Sequence, residues 1–255
     1  MADYELPLVI FTALSQTAVG LAVFLTWRRF SHDQRGQRKA WLITGGILAL
    51  SLLGALFHLS YPFYAYNALI NLKHAWLSRE LIVAIAFAIT IAIAVYTNGN
   101  KVSTLAATST GVLLIIAQGM TYAAPAMAAV ANGLPMVFYF LTAWVMGAAC
   151  IPLLDKTPAV AILRQGILLF MLTLVIPPLI WSSGGAIMRM TYLSWGESLL
   201  FWGSILCFIL AFILSCWRNR RVEATAVIAL AGIVLSRLTF FGDTISTVIN
   251  IGHPY

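Results

Sequence analysis

Eight apolar runs, each close to the ~20 residues that cross a lipid bilayer, leave little of this protein free to fold in any other way. They cover Leu6–Trp27, Trp41–Tyr61, Glu80–Thr97, Val102–Ala124, Pro135–Leu154, Val160–Trp181, Glu197–Trp217 and Glu223–Phe241. Breakers such as "TNGNK", "ANGLP", "DKTP", "SSGG" and "RNRR" punctuate the gaps. Backbone polar groups in hydrocarbon must bond internally, so uninterrupted runs of this length mean helices. Barrel strands would be about half as long and would alternate. Composition agrees. The 255 residues are 61% hydrophobic and 9% charged, whereas a soluble domain carries about 25% charged residues. The expected fold is an all-α integral membrane protein of eight transmembrane helices, forming one domain over residues 1–255. No internal repeat is evident, and no stretch is long enough for a separate soluble domain.

Orientation follows from the basic residues, which gather in cytoplasmic loops. With the N-terminus outside, the inner connections hold Arg28, Arg29, Arg35, Arg38, Lys39, Lys101, Lys156, Arg164, Arg218, Arg220 and Arg221. The outer side holds Lys73, Arg79, Arg189 and Arg237. Eleven against four accounts for all fifteen Lys and Arg and puts both termini on the outer, periplasmic side. The start, "MADYELPLVIF", has Asp3 and Glu5 where a cleavable signal has basic residues, so the first run is expected to be retained. The net charge of +7 then reflects orientation. No basic stripe with interleaved aromatics exists outside the apolar runs, which argues against nucleic-acid binding. Cys150, Cys207 and Cys216 form no C-x-x-C and read as small buried hydrophobes.

Chemistry concentrates in "FHLSYPFYAYNALINLKHAWLSREL", Phe57 to Leu81. His58 closes the second run and Glu80 opens the third, so the two helices are expected to be neighbours. The face through His58 reads Ile47, Ser51, Gly54, and small residues at helical spacing permit close packing into the bundle. Ala84 and Ala88 continue a similar face below Glu80. A histidine at a helix end also fits plain interfacial placement. Glu80 also fits a helix-dipole partner worth about 0.3–1 kcal/mol. The functional reading gains from the conjunction of His58, Tyr61, Tyr64, Tyr66, Asn67 and Glu80 around one connection. A quinol headgroup needs hydrogen-bond partners at both oxygens and proton acceptors when it is oxidised, and a His and a Glu suit that task.

These residues closely resemble the segment H-L-x-x-P-x-x-A-x-N-(A/S)-L … S-x-L-S-x-E of the membrane-anchor subunits of anaerobic dimethyl sulfoxide reductases. The match keeps His58, Leu59, Pro62, Ala65, Asn67, Leu69, Leu77, Ser78 and Glu80. "ELPLVIFTALSQTAVG", "LPMVFYFLTAWVMGA" and "RLTFFGD" resemble the start, fifth span and eighth-span ending of the same family. Ser60 and Tyr61 depart from it, standing where a Gly-Ser pair is usual. The resemblance implies a haem-free anchor in the bacterial cytoplasmic (inner) membrane, related in role to polysulfide and nitrite reductase membrane subunits. It implies menaquinol oxidation by a subunit that does not carry the catalytic centre of its oxidoreductase complex. It also implies two partners at the outer face, an iron–sulfur electron-transfer subunit and a molybdenum-cofactor catalytic subunit. In the family the His and Glu of this motif are associated with the menaquinol site, and they carry over onto His58 and Glu80. Tyr61, Tyr64 and Asn67 are expected around the quinol from their place in the same connection.

Histidine supply fits a haem-free reading. His32, His74 and His253 fall in loops or the tail and only His58 lies near a span, so two axial ligands within spans are not on offer. No metal site is expected. A small secondary transporter with a polar site between helices 2 and 3 is the rival, and it calls for a site near the bilayer midplane. A purely structural tether is a third reading. Elsewhere, Gln16 and Gln118 read as helix–helix hydrogen-bond partners. Glu197 reads as a cap of the seventh span. Arg237 and Asp243 read as a pair, or as contacts to the site or the partner. Pro177 and Pro178 are expected to kink the sixth span. Trp27, Trp41, Trp76, Trp181, Trp195, Trp202 and Trp217 read as an interfacial belt.

Overall fold

The computed structural model describes residues 5–31, 36–58, 67, 69–155, 159–216 and 222–247, with the side chains at 58, 153, 155 and 222 outside the description. Nine helices form among these residues: α1 (Leu6–Ser31), α2 (Arg38–His58), α3 (Trp76–Tyr96), α4 (Lys101–Tyr122), α5 (Leu134–Asp155), α6 (Val160–Trp181), α7 (Ala186–Glu197), α8 (Leu199–Cys216) and α9 (Val222–Asp243). All but α7 are long and apolar enough to cross a membrane, which gives the expected eight.

The hub is α1. In its most apolar stretch 78% of residues are buried, against 28% in α2, α6 and α8, and α1 packs on α2, α4, α5 and α9. Small residues make this possible. A Cβ added at Gly20 would overlap the Ala143 carbonyl oxygen of α5, and one at Gly147 would stand 2.7 Å from the Gly20 carbonyl. The two helices therefore cross backbone to backbone, the close approach that small residues allow in lipid. Hydroxyls tie the other contacts. Thr26 donates to the Thr104 carbonyl at 2.9 Å, and Thr108 to Thr26 Oγ1 at 2.8 Å. The expected face of α2 is confirmed at Ser51, fully buried, whose hydroxyl donates to the Phe11 carbonyl at 2.8 Å, and at Gly54, set against Ile10. Ser51→Ala is expected to destabilise the fold by about 0.6 kcal/mol, the average for a hydrogen bond between membrane helices, as read from unfolding in mixed micelles.

Several boundaries differ from the sequence reading. The first helix continues past Trp27 to Ser31, with Arg28 and Arg29 buried. The Arg29 Nε donates to the Gly99 carbonyl at 3.1 Å, so its charge is held at a helix junction rather than in a loop. The third helix begins at Trp76, not at Glu80. Arg79 secures that start, donating to the Leu72 and Lys73 carbonyls at 3.0 and 2.7 Å and lying 4.3 Å over the Trp76 ring. The connection between α6 and α8 contains the short helix α7, and Glu197 ends it instead of capping the next span. The tryptophan belt is partial. Trp27, Trp76 and Trp202 are exposed, but Trp41, Trp181 and Trp195 are core residues, and Trp181 and Trp195 meet edge to face at 5.1 Å. Trp217 lies outside the described residues. Helix α6 runs through Pro177 and Pro178 to Trp181. Cys216 is exposed and Cys150 and Cys207 are half-buried, which corrects their reading as buried hydrophobes.

Candidate functional site

Because α3 starts a turn earlier than expected, Glu80 lies inside the helix, roughly 6 Å along it from Trp76 at 1.5 Å per residue. It is 3% exposed, on a face continued by Ala84 and Phe87. Its polar neighbours are Gln118 and Thr121 of α4. Both side chains lie close enough to interact with its carboxyl, yet neither carboxyl oxygen has a partner in strict hydrogen-bond geometry among the described residues. A buried carboxyl without partners is costly, and one inside a membrane span is a functional candidate by default.

Behind Gln118 runs a polar network that crosses the bundle. The Gln118 amide nitrogen donates to Ser15 Oγ at 2.9 Å, and the Gln16 amide nitrogen donates to Gln118 Oε1 at 3.3 Å. Arg237 of α9 donates to Gln16 Oε1 at 2.9 Å and to Thr142 Oγ1 at 2.7 Å. Its guanidinium lies 4.3 Å over the Tyr139 ring, and Tyr139 in turn meets Tyr122 at 5.8 Å. Gln16, Gln118, Thr142, Tyr139 and Arg237 are all 1% exposed or less. A buried charge within a span is costly, and these bonds offset part of that cost. The network occupies one end of the bundle, since α4 and α9 approach it at their C-terminal ends and α3 and α5 at their N-terminal ends.

The expected helix–helix role of the two glutamines is thus met. Arg237, however, is not an outer-surface cation and does not pair with Asp243. It is buried among neutral groups, while Asp243 accepts a hydrogen bond from the Ser198 hydroxyl at 2.6 Å. Of the four cations assigned to the outer side, Arg237 is thus a residue of the bundle interior. Of the residues assigned to the quinol, the backbone of His58 ends α2, and α2 packs on α3, so His58 and Glu80 belong to adjacent antiparallel helices at the same end. The His58 side chain, Tyr61 and Tyr64 lie outside the described residues. Asn67 is exposed, and its carbonyl accepts from the Ile70 N–H at 3.1 Å. Among the described residues no three His, Cys, Asp or Glu side chains group as a metal site.

Tyr122, Tyr139, Ser15 and Thr142 were missed in the sequence. Each lies in an apolar run, and a single polar residue there carries no signature of its partner. Arg237 offered a signal, because it falls six residues inside the C-terminal end of α9, too deep for a loop cation.

A family model described as DMSO reductase anchor subunit (DmsC) matches residues 1–251. The protein belongs to this family. It is accordingly a multi-pass membrane protein, its eight apolar helices being the spans. It is also similar to the C subunit of the anaerobic dimethyl sulfoxide reductase of Haemophilus influenzae, 30% identical over 82 residues. That stretch spans 31% of this protein and 29% of the relative's length. The family match covers nearly the whole protein, whereas the pairwise likeness covers under a third of either protein.

Proposed function

We propose that this protein is the haem-free membrane anchor of a molybdoenzyme complex, and that it oxidises menaquinol at the end of the bundle that carries Glu80. The single observation that carries this reading is the buried Glu80 carboxyl, unpartnered among the described residues, in an anchor-subunit family. A quinol that reaches it from the bilayer gives one hydroxyl proton to the Glu80 carboxylate. His58, on the neighbouring helix end, hydrogen-bonds the headgroup and helps to deprotonate it, with Tyr61, Tyr64 and Asn67 around the connection. The two electrons pass to an iron–sulfur cluster in a partner subunit, and from there to a molybdenum-cofactor subunit. With both termini outside, as the distribution of cations supports, the two protons leave on the outer side of the bacterial inner membrane. Where the terminal reduction consumes protons on that side, the reaction moves no net charge across the membrane.

Purification tests the assembly directly. The solubilised anchor is expected to bring down two partners containing iron and molybdenum. An anchor that purifies alone, with neither metal and with transport activity in vesicles, would instead be the transporter. Retention of both partners with no response to quinol would make it a tether.

A further inference from the structure

Arginine can only donate hydrogen bonds, and this fixes the direction of the hydrogen-bonded series that starts at Arg237. Because Gln16 gives its carbonyl to Arg237, its amide nitrogen faces Gln118. Because Gln118 receives that donor on its own carbonyl, its nitrogen faces Ser15 Oγ. An amide nitrogen carries two hydrogens. One of them goes to Ser15, and Glu80 of α3 is the neighbouring group with acceptor oxygens that have no other partner among the described residues. Among the described residues, the groups that Arg237 meets are all neutral: Gln16, Thr142, the Phe138 carbonyl and the Tyr139 ring. The hydrogen-bond order thus runs in one sense from the buried cation to the amide that neighbours the buried carboxyl.

We infer that Arg237 is a positioning residue for Glu80, acting through the Gln16–Gln118 pair to keep an N–H of Gln118 turned toward the carboxyl. Without a donor at 237, Gln16 is free to reverse its amide. Gln118 then reverses in turn, and a carbonyl replaces the N–H beside Glu80. A lysine still donates to Gln16 and keeps the order. The consequence for turnover rests on reading Glu80 as the quinol's proton acceptor, whereas the coupling itself involves this protein alone.

The test uses the intact complex in native membranes with Arg237→Met, Arg237→Lys, Gln118→Met and the Met/Met double variant. The first readout is the rate at which a hydrophobic carbodiimide labels Glu80, read by mass spectrometry, with Glu80→Gln as the blank. Arg237→Met and Gln118→Met are expected to shift that rate about threefold or more in the same direction. The double variant is expected to match either single, as for residues that act as one unit, and Arg237→Lys to stay near wild type. Unchanged labelling in Gln118→Met, or shifts that multiply in the double, would overturn the inference. If Arg237→Met does not assemble, Gln16→Met takes its place, since it breaks the same series between Arg237 and Gln118: a shift matching that of Gln118→Met is expected, and unchanged labelling would overturn the inference. The second readout is quinol turnover, where Arg237→Met is expected to lose about tenfold in kcat with KM little changed and Arg237→Lys to recover most of it. A purely structural arginine would instead lower assembly, kcat and affinity together without rescue by lysine. Labelling as expected in a complex that never turns over quinol would leave the inference standing and reject the quinol reading.

Discussion

Glu80→Gln, in the assembled complex, is expected to lower quinol-dependent reduction by roughly 10²–10⁴-fold, the usual range for removing a proton acceptor. The amide keeps the size of the carboxyl, and the site loses its ability to take a proton together with the charge-assisted hydrogen bond it offers the headgroup. Neither carboxyl oxygen has a partner in strict hydrogen-bond geometry among the described residues, and an amide oxygen at this position can still accept from Gln118 or Thr121. Folding and partner retention are therefore expected to match wild type. Reduction driven by an artificial donor that feeds the partner subunits directly is expected to be unaffected, which separates loss of the quinol step from loss of assembly. His58→Ala is expected to act in the same direction. Wild-type turnover in both variants would remove the assignment of the site.

The second large effect lies in the scaffold. Gly20→Val is expected to destabilise the bundle by about 3 kcal/mol or more, at or above the upper end for overpacking. The nearest obstacle is not a flexible side-chain tip but the Ala143 backbone carbonyl, with the Gly147 backbone beside it. Helix α1 would have to move away from α5. Since Gln16 lies one turn from Gly20 and bonds both Gln118 and Arg237, that movement would also open the polar network. A protein that unfolds in detergent at a temperature close to wild type would contradict this account of the crossing.

Much of this was legible in the sequence, and the reasons are physical. Long apolar runs have one solution in lipid, so the eight spans were readable within a turn. Small residues at helical spacing gave the buried faces of α2 and α3 correctly at Ser51, Gly54 and Ala84. Helix starts were harder. The third helix recruits "WLSR" ahead of Glu80, because Arg79 finds the carbonyls of residues 72 and 73, a contact with no periodic signature. Helix α7 escaped because its 12 residues are too short for a span. The network round Arg237 was hidden for a different reason. Its members come from α1, α4, α5 and α9, more than 200 positions apart at the extremes, and pairing over such a separation is a property of the tertiary fold. Tryptophans near span ends misled in the same way, since Trp41, Trp181 and Trp195 lie near ends that other helices cover.

Titration of the purified complex with a fluorescent hydroxyquinoline oxide, an analogue of the quinol, tests the central claim most directly. The account predicts saturable quenching at one site per anchor subunit, displaced by menaquinol and abolished or greatly weakened in Glu80→Gln and His58→Ala while both partner subunits stay bound. Quenching of undiminished affinity in Glu80→Gln, or no quenching by the wild-type complex, would contradict it.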